Sequence, residues 1–266
     1  FLEDTGVVTE IMIHNTPVKV KAYYLAPEIF NTAPIYFLTT DIEENDYLSK
    51  TITHHLYDSN INTRIAQEMV LGIGGVQLLE KLRPTDIFHM NEAHSLPLAF
   101  NLYNKYNDLD QVKKRVVFTT HTPEMAGNSN YAYDMLKRMN YFSGVPLDVV
   151  KEITGCKSDT LGCTPAALRL SKIANGVSQM HADVARDMWQ DHIEREHIIG
   201  ITNSQNQNYW QDAKIRKAIA TNNDELLLER KSSLKKKLFN EVAHQEGDLF
   251  KENVLTIVWA LSLIHI

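Results

Sequence analysis

Residues 86–120 read DIFHMNEAHSLPLAFNLYNKYNDLDQVKKRVVFTT. An apolar run from Asp86 to Met90 gives way to a helical spacing from His94 to Tyr106, and then to a second apolar run from Arg115 to Thr120. Strand, helix, strand is the unit of a parallel sheet, because a parallel neighbour needs a crossover to bring the chain back to the same end. The rhythm continues with a helix over Tyr131 to Asn140, a strand over Gly176 to Gln179, a helix over His181 to Gln190 and a strand over His197 to Thr202. The expected fold class is α/β, a doubly wound parallel sheet whose ligands bind beyond the carboxyl ends of the strands.

Towards the N-terminus, Val7 to Tyr24 alternates apolar and polar residues around a break at His14-Asn15-Thr16-Pro17, the pattern of an N-terminal β-hairpin. Ala33 to Thr39 reads as a further strand. From Asn62 to Leu82, Ile65, Met69, Val70, Ile73, Val76 and Leu79 recur at helical spacing. Gly72, Gly74 and Gly75 would weaken an isolated helix by about 1 kcal/mol each, so they predict close backbone packing there. Asn222 to Val242 reads as a solvated helix, its Arg230-Lys231 and Lys235-Lys236-Lys237 balanced by Asp224, Glu225 and Glu229.

The 266 residues are 44% hydrophobic and 23% charged, an ordinary globular balance. With 33 acidic against 27 basic residues there is no basic field to attract nucleic acid or an anionic membrane, and no apolar run approaches the roughly 18 residues of a membrane span. The two cysteines, Cys156 and Cys163, fit neither a disulfide scaffold nor a metal pair and read as free thiols of a cytoplasmic protein. His54-His55, His89 and His94 lack zinc spacing, so no metal is expected. Leu71-Gly72-Ile73-Gly74-Gly75 lacks the third glycine of a dinucleotide loop and follows no strand, and no GxSxG occurs.

Three polar clusters follow expected strands: His89-Met90-Asn91-Glu92-Ala93-His94, Thr119-Thr120-His121-Thr122-Pro123 and Thr202-Asn203-Ser204-Gln205-Asn206. Imidazoles, amides, hydroxyls and one carboxylate suit sugar hydroxyls. Any one cluster would equally serve as a helix cap, and three on successive strands favour a site. No second carboxylate stands opposite Glu92 as glycoside hydrolysis requires. Trp189, Tyr209 and Trp210 read as core aromatics.

Taken in order, these blocks carry a specific family resemblance. Thr53-His54-His55-Leu56-Tyr57, Arg64-Ile65-Ala66-Gln67-Glu68, the two strand-end blocks and Asn175-Gly176-Val177-Ser178-Gln179-Met180-His181 with Met188-Trp189 resemble, in order, the bacterial and archaeal α-1,4-glucan phosphorylases. The resemblance implies the Rossmann-like N-terminal lobe of a GT-B-type glycosyltransferase, with Asn91, Glu92, His94, His121 and Thr122 binding glucan or maltodextrin. It implies phosphorolysis by inorganic phosphate in the parent enzyme, with pyridoxal phosphate held in a C-terminal lobe and neither cofactor nor catalytic residue in this chain, which alone would be inactive. A GT-B-type glucan synthase and a non-catalytic glucan-binding lobe are the alternatives. Asp58-Ser59-Asn60 and Thr202-Asn203-Ser204 depart from the family's Gly-Gly-Asp and Thr-Asn-Gly, and the family's Gly-rich loop would lie upstream of Phe1.

The expected organisation is a partial glucan-side lobe over 1–245, the first strand of a truncated second lobe over 246–260, and a six-residue tail. That tail, Leu261-Ser262-Leu263-Ile264-His265-Ile266, resembles the in-frame translation of a sequencing-library adapter, a reading preferred to the end of a buried apolar strand.

Overall fold

The computed structural model describes residues 1–56, 58–156, 158–192 and 197–258. They divide into two compact units, Phe1–Thr202 and Asn203–Ile266. The division falls well before the 245/246 boundary expected from sequence, and the long C-terminal helix groups with the second unit.

The first unit opens with the expected hairpin, β1 (Leu2–Ile13) and β2 (Thr16–Leu25), and β3 (Ile35–Thr39) pairs antiparallel to β2. Ile13 stands opposite Thr16, leaving a two-residue turn in which His14 takes a left-handed φ of 53°. Alternation puts Ile11, Ile13, Val18, Val20 and Ala22 on one face, and all five are buried.

The Asn62 to Leu82 periodicity is one continuous helical rod: α-helix Ile61–Met69, a π-helical turn Val70–Gly74, and α-helix Gly75–Leu82. Gly72 sits where expected, against other backbone, whereas Gly74 and Gly75 face the side chains of Val20 and Leu38. A Cβ on Gly72 would lie 2.8 Å from Leu98 N and 2.9 Å from Ser95 O, and one on Gly74 would lie 3.3 Å from a Val20 methyl. The irregular turn lets the rod follow the hairpin on one side and the Pro97–Tyr106 helix on the other.

A four-stranded parallel sheet follows, in the order β4 (Phe88–Asn91), β5 (Val116–Thr120), β8 (Ile173–Gly176), β9 (Ile198–Gly200). Phe88, Met90, Val116, Phe118, Ala174 and Ile198 are buried in it. The expected α/β, Rossmann-like lobe with its N-terminal hairpin is what forms. Two expectations shift. Tyr131 and Ala132 belong to β6 (Asn130–Ala132), paired antiparallel with β7 (Thr160–Gly162), and the helix begins only at Tyr133. The strand expected at Gly176 to Gln179 instead ends at Gly176, because Ser178 caps a helix over Gln179–Trp189, its hydroxyl accepting from His181 N at 3.0 Å.

In the second unit, Asp212 caps the Ala213–Ala220 helix and receives a two-pronged bond from Arg230, on the Asp224–Glu246 helix. This guanidinium, with the capped amides, holds the Asp212 carboxyl well below the usual range. Gly247, at φ 79°, ends that helix. Tyr209 and Trp210, expected in the core, are exposed and meet edge to face at 5.1 Å, whereas Trp189, in the first unit, is buried. Residues 253–258 form no strand. The last two residues of the expected 246–260 segment, and the 261–266 tail, lie outside the described residues.

Candidate functional site

Parallel pairing aligns the carboxyl ends of β4, β5 and β8: Asn91 stands beside Thr119, Thr119 beside Asn175, and Thr120 beside Gly176. Immediately past β4, Glu92 adopts φ 58° and ψ 178°, a conformation that costs a non-glycine residue on the order of 1–3 kcal/mol. Its backbone N–H donates to Thr119 O at 2.9 Å. Its carboxylate oxygen Oε1 accepts the His121 N–H at 2.5 Å and the Thr122 hydroxyl at 3.0 Å. Glu92, His121 and Thr122 therefore form one cluster.

A second chain of bonds runs across the same strand ends. Thr119 Oγ1 donates to Asn175 Oδ1 at 2.7 Å, so its contact with His89 Nε2 at 2.6 Å uses the imidazole as donor. Beside it, His181 is 7% exposed and accepts the Val177 N–H at Nδ1, 3.1 Å away. Burial pushes the His181 imidazole below its usual range; the Glu92 carboxylate pulls it back up and His121 pushes it further down, which places all three in one electrostatic neighbourhood. Thr120 Oγ1, His121 Nε2 and His181 Nε2 are buried with no hydrogen-bond partner among the described residues.

Asn91 and His94 line recesses of the same unit. His94 lines a recess of about 380 Å³ with His55, Arg64 and Glu68. Asn91 and His89 line another of about 410 Å³, and Tyr36, Leu38 and Leu71 border both. Of the three strand-end clusters, the 202–206 block lies at the boundary of the two units.

Three groups escaped the reading by sequence. His181 appears there only inside a motif; the signal for it was Ser178, a helix cap that turns the third residue back toward the strand. The Thr119–Asn175 bond depends on strand register. Glu68, 6% exposed, accepts the hydroxyls of Tyr131 at 2.8 Å and Tyr141 at 2.9 Å. Burial pushes its carboxyl up to about 7, against the pull of those two bonds and of Arg64. The buried Cys163 thiol nearby is pushed well above its ordinary range, chiefly by desolvation.

The arrangement is neutral donors and acceptors around one carboxylate at the end of a parallel sheet, a surface for orienting hydroxyls. Among the described residues no group of three or more His, Cys, Asp or Glu side chains is placed to hold a metal ion, and no helix is long and apolar enough to cross a membrane.

This fold is that of a Rossmann-like lobe of the GT-B glycosyltransferase type. It matches the catalytic domain of starch synthase IV from Arabidopsis thaliana, bound to ADP and acarbose, with a TM-score of 0.59 over 79% of this chain and 42% of that one; at 17% identity the likeness is of fold alone. In sequence the chain is 45% identical over 260 residues to an uncharacterized protein of Methanocaldococcus jannaschii, covering 98% of this chain and 49% of that protein. It is 31% identical over 201 residues to maltodextrin phosphorylase of Thermococcus litoralis, covering 70% of this chain and 24% of that enzyme. Against glycogen phosphorylase of Aquifex aeolicus it is 33% identical over 171 residues, 58% of this chain and 25% of that enzyme. No family model matches. The chain spans about half the length of the first of these relatives and about a quarter of the two phosphorylases.

Proposed function

We propose that this chain forms the glucan-side lobe of an α-1,4-glucan phosphorylase, whose parent enzyme transfers the non-reducing-end glucosyl unit to inorganic phosphate with retention, releasing glucose 1-phosphate. The observation that carries the reading is Glu92: a strained carboxylate at the carboxyl end of the sheet, holding the His121 amide and the Thr122 hydroxyl with one oxygen. The 31–33% identity to maltodextrin and glycogen phosphorylases supports it.

In this role Glu92 fixes the 119–122 turn, His121 orients a sugar hydroxyl through its ring, and Asn91, His94 and Thr122 complete the binding surface. Their contribution is positioning, which can account for several kcal/mol of a barrier. The groups gathered at the strand ends include no lysine or arginine, so they do not fit the aldehyde or the phosphate of pyridoxal phosphate. In the proposed parent that cofactor and the reacting phosphate belong to a second lobe, and this chain alone is inactive in phosphorolysis. A cytoplasmic location goes with the same proposal.

The test is titration of the isotopically labelled chain with maltoheptaose, followed by backbone resonances. Shifts centred on residues 91–94 and 119–122 are the expected result. Their absence would overturn the reading, and shifts of the same resonances by a sugar nucleotide instead would favour a glucan synthase.

A further inference from the structure

Gly176 ends β8, and a Cβ there would lie 2.8 Å from Ala182 N and 2.9 Å from its Cα. Only glycine lets the first turn of the Gln179–Trp189 helix come so near the strand, and that approach delivers His181 to the strand end beside Thr120, its neighbour in register being Gly176. The ring is then fixed from one side. Nδ1 accepts the Val177 N–H, so it carries no proton, and the neutral ring bears its proton on Nε2.

That Nε2–H is a buried donor with no partner among the described residues, on a side chain that is itself 7% exposed. Buried polar groups nearly always find a partner, and an orphan of this kind points to a water or a ligand. Two further orphans, Thr120 Oγ1 and His121 Nε2, sit on the adjacent strand end. With His181 Nε2 these make three buried, unsatisfied atoms on the strand ends that carry the Glu92 cluster, and His181 lies within the electrostatic reach of Glu92 and His121.

We propose that His181 is a further sugar-binding residue, its Nε2–H donating to a hydroxyl oxygen of a glucosyl unit held beside Glu92 and His121. The inference rests on the glucan-side reading above and adds a residue to that site. Its two ring nitrogens divide the work: Nδ1 holds the local fold, and Nε2 recognises the ligand.

Two substitutions separate these roles. In His181→Asn the amide oxygen reaches the place of Nδ1 and keeps the Val177 bond, but nothing reaches the place of Nε2. In His181→Gln the amide reaches the Nε2 position and the Nδ1 acceptor is lost. Maltoheptaose affinity and thermal melting are measured on the full chain for wild type and both variants, with the His181 ring nitrogens followed in labelled wild-type protein. The expected result is that His181→Asn melts as wild type yet binds about tenfold more weakly, the loss of one neutral hydrogen bond, while His181→Gln melts lower and binds within a few-fold of wild type.

Wild-type affinity in His181→Asn would overturn the inference and leave the glucan-side reading standing, since Nε2 would then be satisfied by water alone. No maltoheptaose binding by the wild-type chain would overturn the reading and the inference together. Should His181→Asn melt early, the wild-type ring decides: an Nε2–H resonance that moves on saturation with maltoheptaose supports the contact, and one that stays in place overturns it.

Discussion

Glu92 and His121 are joined through the carboxylate of one and the backbone amide of the other, Oε1 to N at 2.5 Å, across the ends of two adjacent parallel strands. Glu92 N donates back to Thr119 O. The two bonds together hold Glu92 at a φ of 58° that its own side chain disfavours. Replacing Glu92 by Ala keeps that strain and removes the carboxylate, whereas Glu92→Gly removes both. In urea unfolding Glu92→Gly should therefore exceed Glu92→Ala in stability by about 1 kcal/mol. Equal stabilities would show that the backbone conformation carries no strain.

Gly72 lies against the backbone where the helical rod crosses the residues leading into the Pro97–Tyr106 helix. A methyl there meets Leu98 N and Ser95 O, neither of which can rotate away. Gly72→Ala should cost roughly 1–3 kcal/mol of unfolding free energy despite the better helix propensity of alanine. A neutral or stabilising effect would mean that the two segments part easily.

Glu68 titrates near 7 in the folded protein and near 4.5 once exposed. The folded state then binds more protons than the unfolded state between those values, so stability falls as pH rises through this window. The stability of wild type relative to Glu68→Gln should decline by roughly 3 kcal/mol from pH 4.5 to above 7, read from urea midpoints at each pH. A flat difference would refute a protonated Glu68 held by Tyr131 and Tyr141.

Ser178 caps the helix that carries His181. Ser178→Ala should cost about 1 kcal/mol and speed amide exchange at His181, whose N–H loses its acceptor. Unchanged exchange there would show that the cap does not hold the first turn.

The alternation of Val7 to Tyr24, the strand–helix–strand rhythm of 86–120 and the glycines of the helical rod were legible because each is a local consequence of side-chain period or backbone clearance. Polar clusters after β4 and β5 were legible for a similar reason: a strand followed by donors and acceptors puts them at the mouth of a parallel sheet. Tyr131 was misread as helical because its pairing partner, Leu161, lies thirty residues on. Likewise, no local pattern announces that Glu68 meets Tyr131 and Tyr141, or that Thr119 meets Asn175.

By itself, then, the sequence determined the fold class, the hairpin and the identity of Glu92, His121 and Thr122 as strand-end groups. The tertiary structure decided which of these meet. It drew Glu92, His121 and Thr122 into one cluster, set Asn91 and His94 on the walls of two recesses that share Tyr36, Leu38 and Leu71, and brought in His181 from eighty-nine residues beyond Glu92. The physical reason is that side-chain period is written in neighbouring residues, whereas a hydrogen bond between distant ones exists only after register and packing have fixed the distance between them.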